Sequence, residues 1–143
     1  MAITHDGIAK VYRPQDLAIA EKLSAAQTIN AGTTTFIDSH NSRTAEHSNA
    51  AIEALLTTGI RPVYAAGGAQ AGDHHQLPHD LLRLRDEYFS GSYDLVTLRM
   101  FDIQPSIESW TFAAENGFDI CAEMGMCFEP GCLFRMLLPP SSA

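Results

Sequence analysis

Helix and strand signals alternate along this chain, and that alternation limits its fold more than any other feature. Arg13-Pro14-Gln15-Asp16 starts a helix, with proline in the first turn, where its missing N–H costs nothing. Leu17, Ala20, Leu23 and Ala26 or Gln27 then recur at a helical period, and Gly32 closes the helix. Thr34–Asp38 is β-branched and aromatic, as a short buried strand requires, and the polar run Ser39–Arg43 reads as a loop. Thr44 caps a second helix, with Glu46 in its first turn and Ala51, Ile52, Leu55 and Leu56 as its apolar face; Gly59 stops it. Ile60–Ala66 is a second strand, with Pro62 near its start. Pro78 opens a third helix containing Leu81, Leu82, Leu84, Tyr88 and Phe89, and Leu95–Phe101 follows as a third strand. Ser106 caps a fourth helix, with Trp110, Ala113 and Ala114 facing inward, and Gly117 ends it before a fourth strand, Phe118–Met124. Regular alternation with short turns predicts an α/β fold with a parallel sheet and right-handed crossovers.

A length of 143 residues suggests one domain, and it is short for a complete (β/α)₈ barrel of about 250 residues. The expected division is an arm over 1–12, a βα domain over 13–126 and a tail over 127–143 that includes Leu133, Phe134, Met136, Leu137 and Leu138. A formal charge of -8 argues against nucleic acid and against an anionic membrane surface. No apolar run is long enough to span a bilayer, and residues 1–12 have no leader-like core. Cys121, Cys127 and Cys132 are odd in number, which fits reduced thiols in a cytoplasmic protein better than a disulfide scaffold. Neither a Gly-x-Gly-x-x-Gly nor a Walker-type loop occurs, so a nucleotide site is not expected.

Four segments carry a family resemblance. Ala31-Gly32-Thr33-Thr34-Thr35-Phe36-Ile37-Asp38-Ser39-His40 resembles a signature of amidohydrolases of the cytosine deaminase and chlorohydrolase type. Residues 44–52, 59–65 and 113–120 resemble the family's next helix, its next strand and the approach to barrel strand five, in the same order. The resemblance implies a partial, TIM-barrel-like scaffold of about four βα units, in a family that uses a metal for hydrolysis or deamination. The family's metal is held by a His-x-His after strand one and by later His and Asp residues. No His-x-His occurs here, and Glu123 stands where the family has its strand-five histidine. The zinc site is therefore not carried over, and neither a metal nor another cofactor is expected. A half-barrel leaves edges and an inner face to be covered, so a homo-oligomer, dimer or higher, is the expected partner besides a small-molecule substrate.

In parallel βα folds the site lies at the carboxyl ends of the strands. That rule selects Asp38, His40 and Asn41 after the first strand and the loop with His74 and His75 after the second. It also selects Arg99 and Asp102 on the third, and Glu123 and Met126 on the fourth. Imidazole titrates near neutrality, so His40 is the first choice for an acid or base, against a plain loop hydrogen bond. Glu123, in an apolar strand, suits a general acid or an ion pair with Arg99. Asp38 orients His40 or satisfies strand-end amides, and Asp102 binds substrate or caps a loop. His74 and His75 are lid or solvated loop residues; Asn41, Arg99 and Met126 complete the substrate wall. The expectation is a metal-independent enzyme using acid/base chemistry (isomerisation, dehydration or cyclisation) with His40, Glu123 and Asp38. The alternatives are a subunit or fragment of a metal-dependent amidohydrolase and a non-catalytic binding protein.

Overall fold

The computed structural model describes residues 11–42, 44–67, 80–91, 95–102 and 106–122. In chain order they form α1 (Pro14–Asn30), β1 (Thr35–Asn41), α2 (Ala45–Leu56), β2 (Arg61–Gly67), α3 (Leu81–Tyr88), β3 (Thr97–Asp102), α4 (Ile107–Asn116) and β4 (Ile120–Ala122). The fold is α/β, as expected. Its four strands make one parallel sheet in the sequential order β1-β2-β3-β4, and that sheet is open.

Local chemistry sets most boundaries. Gly32, Gly59 and Gly117 all have positive φ, which lets the chain leave a helix without the steric penalty a side chain meets there. Ser106 caps α4: its side chain accepts from the Ser109 backbone N–H at 3.0 Å, while the Ser109 hydroxyl accepts from the Ser106 N–H at 3.1 Å. Pro62 pairs only toward β1, opposite Phe36. Pairing with β3 begins one residue later, at Val63, so the missing N–H removes no bond on that side.

Register puts Asp38 beside Tyr64 and Leu98, and His40 beside Ala66, Met100 and Ile120. Alternation along each strand sends these rows to one face. There Tyr64, Ala66 and Met100 pack with Ala51, Ile52 and Leu55 of α2, Leu81 and Leu84 of α3, and Ala113 of α4. Phe36, Leu98, Ile120 and Leu17 of α1 border this core. The opposite face begins with Thr35, Ile37, Ser39 and Arg61 in solvent, with Ile37 58% exposed.

Several expectations are corrected. Ser39, His40 and Asn41 are strand, not loop: their ladder continues opposite Ala65, Ala66 and Gly67. Polar side chains misled the reading, since backbone pairing decides where a strand ends. The α1 stripe runs through Leu17, Glu21 and Ala25 at a spacing of four, whereas Ala20 and Leu23 face solvent. Leu56 is 38% exposed and Ala114 is exposed. Trp110, expected to point inward, is 52% exposed and only its ring N–H reaches the interior. Phe118 does not start a strand, because its N–H bonds the Ala113 carbonyl at 2.9 Å and so finishes α4. No helix among the described residues is long and apolar enough to cross a membrane.

Candidate functional site

Among the described residues, titratable groups converge between α1 and β1. After Gly32 reverses the chain, α1 and β1 run side by side. Glu21 lies nine residues before the end of α1, about 13.5 Å back along its axis at 1.5 Å per residue. Asp38 and His40 lie three and five residues into β1, about 10 and 17 Å along it at 3.3 Å per residue. The three therefore reach the same level. Asp38 and His40 share the helix-facing side of β1 because they are two residues apart.

The His40 Nδ1 is 3.6 Å from Glu21 Oε1 and 3.6 Å from Asp38 Oδ2. Side-chain exposures are 8% for His40, 9% for Glu21 and 15% for Asp38, so water reaches all three poorly. Asp38 Oδ2 is wholly buried and accepts no hydrogen bond among the described residues. Burial, reinforced by the neighbouring Asp38 charge, pushes the Glu21 carboxyl up from its ordinary 4.5 to about 7, and His40 only partly opposes this. Two carboxylates in one poorly hydrated space cannot both ionise cheaply. Glu21 therefore holds its proton into the neutral range, as a general acid requires.

Tyr64 forms the floor. Its ring centroid is 5.1 Å from that of His40, and its hydroxyl shares a hydrogen bond with Ser42 Oγ at 3.3 Å. Burial drives the phenol upward, well beyond physiological pH, so Tyr64 stays neutral and offers an O–H.

The sequence-predicted residues divide. Asp38 and His40 come together, and the partner the structure gives them is Glu21, which sequence reasoning placed in no site. Asn41 lies one position on from His40 and so points to the other side of the sheet; its Oδ1 is buried without a hydrogen bond among the described residues. A Cβ on Gly67 would stand 2.6 Å from that oxygen and 3.0 Å from Phe101, so glycine permits this close approach. Asp102 is on the helix-facing side but two strands away from His40, separated from it by β2. It accepts from Ser109 Oγ at 2.7 Å and from Trp110 Nε1 at 3.1 Å, so it anchors the start of α4. It does not join His40, as one mouth would require. Arg99 faces away from His40 and pairs with Asp119 at 3.5 Å, with Arg99 half-buried and Asp119 exposed. Alternation explains the split, because odd and even positions of one strand serve opposite faces. Glu123, Met126, His74 and His75 lie outside the described residues.

A cavity of about 340 Å³ opens elsewhere, among Arg85, Phe89, Val96, Leu98 and Phe118. It sits at the amino ends of β3 and β4, the end βα folds use for stability rather than chemistry. Its one cation is engaged, since Arg85 donates to the Asn116 carbonyl at 3.0 Å and lies 5.2 Å from the Phe118 ring centre. Comparison of the chain with family models, with curated proteins and with solved structures gives no match.

Proposed function

We propose that this chain is a small enzyme that moves protons on a neutral organic molecule, with Glu21, Asp38 and His40 as its reactive centre. The convergence of these three poorly hydrated groups in the carboxyl-terminal half of β1 is the observation that carries the reading. Glu21 supplies the acid and His40 is the base. Asp38, at 3.6 Å from the imidazole, positions it. Isomerisation, dehydration and cyclisation all need such a donor and acceptor pair. The sequential parallel order and the single helical layer also support a partial (β/α) barrel of amidohydrolase type, read as a scaffold whose own metal ligands are replaced.

Proton transfer can be assayed without knowing the substrate. Pools of small carbonyl compounds are incubated with the protein in heavy water and read by NMR for deuterium incorporation. The wild type is expected to label a compound in at least one pool, and His40→Ala to slow that labelling by about 10²-fold or more. Equal labelling by both proteins, or none in any pool, removes the proposal.

On this reading a second copy closes the ring, burying the exposed start of that sheet face around Ile37 and satisfying the strand edges. Light scattering is expected to give a multiple of the 15.6 kDa chain mass. A stable monomer rejects the closed ring and leaves the proton-transfer centre untouched.

A further inference from the structure

The Glu21–Asp38–His40 cluster sets two acidic groups against one imidazole. Among the described residues no lysine or arginine pairs with either carboxylate. The contacts within it are unlike ordinary hydrogen bonds. A nitrogen donor and a carboxylate oxygen normally meet at about 2.8 Å, yet both carboxylates stop 3.6 Å from the same ring nitrogen. The three facing atoms lie within 4.8 Å of one another. Asp38 Oδ2 is wholly buried without a hydrogen bond among the described residues, and the Glu21 side chain beside it is nine-tenths buried.

Such spacing suits a shared central atom. First-row divalent cations sit about 2.1 Å from nitrogen and oxygen ligands, which separates neighbouring ligands around a tetrahedron by about 3.4 Å. Two of the three edges here are within a few tenths of an ångström of that value. The donor set is one imidazole nitrogen and two carboxylate oxygens, which suits zinc- or manganese-type ions and disfavours Cu(I), which prefers thiolate and thioether ligands. A divalent charge also neutralises both carboxylates at once, removing the penalty of burying them.

We propose that Glu21 Oε1, Asp38 Oδ2 and His40 Nδ1 form a three-ligand site for one first-row divalent cation. It leaves at least one coordination position open. The inference takes its purpose from the reactive-centre reading, with the cation replacing the proton that Glu21 holds in the metal-free centre, while the binding itself stands on geometry. In such a site the cation takes over the charge balance and acts as a Lewis acid on whatever occupies the open position.

The test uses Mn²⁺ as probe, because thiolates hold it poorly and the cysteines then compete little. Full-length protein, stripped with chelator, is titrated and free Mn²⁺ is followed by electron paramagnetic resonance. The wild type is expected to bind one tight equivalent. Glu21→Gln and His40→Ala each weaken that site by more than about 100-fold, beyond the usual effect of a change outside the ligand shell. Circular dichroism of both variants confirms that the fold is retained. His47→Ala serves as control and leaves binding unchanged, since His47 is committed to Thr44 Oγ1 at 2.8 Å and the Tyr12 carbonyl at 2.9 Å. Wild-type binding no tighter than that of Glu21→Gln overturns the proposal, as does a site abolished equally by His47→Ala. No substrate enters this titration. Failure to bind metal therefore leaves proton transfer standing, whereas failure of the deuterium assay leaves the metal site standing.

Discussion

Glu21→Gln is expected to stabilise the metal-free chain at pH 8 by about 2 kcal/mol, an unusual outcome for a polar change at a buried position. In the wild type the carboxyl titrates at about 7 rather than 4.5, chiefly through burial and secondly through the Asp38 charge. Ionising it in the folded state is thus harder than in the unfolded chain. Each pKa unit corresponds to about 1.4 kcal/mol, and residual solvation near the edge of the sheet reduces the full sum to roughly 2 kcal/mol. Glutamine carries no charge, and its amide can donate to the unsatisfied Asp38 Oδ2. The sign follows from proton linkage. Between pH 4.5 and 7 the native state holds a proton that the unfolded state has lost, so wild-type stability falls as pH rises through that window. Below it the carboxyl is protonated in both states, and above it ionised in both, so stability is flat with respect to this group. Urea unfolding of both proteins in chelator, from pH 4 to 8, should give a falling curve for the wild type. The difference between the variants should widen up to pH 7 and then hold. A Glu21→Gln protein less stable than wild type at pH 8 contradicts the frustrated cluster. Added Mn²⁺ should raise the wild-type midpoint and leave that of the variant in place, because a ligand stabilises only the state that binds it.

Much of the architecture was legible because it depends on local signals. Gly32, Gly59 and Gly117 end helices by backbone conformation, Ser106 caps by its hydroxyl, and β-branched runs mark the strands. The site was half legible. Asp38 and His40 are neighbours in sequence, so one strand brings them together. Glu21 is separated from His40 by a helix end and a reversal, and only the phase of α1 brings it in. A signal did exist: Leu17, Glu21 and Ala25 recur at a spacing of four, and a glutamate inside an apolar stripe is costly unless it has a task. Leu23 and Ala20 offered an equally plausible apolar face, and composition could not choose between them. Arg99 and Asp102 failed for another reason. Proximity to a strand end says nothing about which face a residue takes, and register with β2 sends the two to opposite sides.

Tyr64→Ala is expected to cost about 4 kcal/mol, in the range for deleting a large aromatic from a core, and so to leave the chain close to unfolded at 25 °C. Tyr64 is fully buried on the inner strand β2 and is the largest side chain so enclosed among the described residues. It is the member of the core that also closes the floor of the cluster, with its ring against His40 and its hydroxyl bonded to Ser42. The hydrophobic cluster lies in one layer, between the sheet and its helices. A cavity there has few neighbours that can collapse into it, because the strand holding Tyr64 is fixed by pairing on both sides. Small domains have only about 5 to 15 kcal/mol of stability in total, so such a loss removes a large part of it. Tyr64→Phe separates packing from polarity. It keeps the ring and loses only the hydroxyl's hydrogen bonding, to Ser42 and Ser48, a cost of about 1 kcal/mol per bond. Urea midpoints of the two variants should therefore differ widely, with Tyr64→Phe near wild type. If the two lose equal stability, the hydroxyl rather than the packed ring holds β2 against the helices. The cluster would then owe its position to the Tyr64–Ser42 bond, and Ser42→Ala should displace His40 and weaken Mn²⁺ binding along with it.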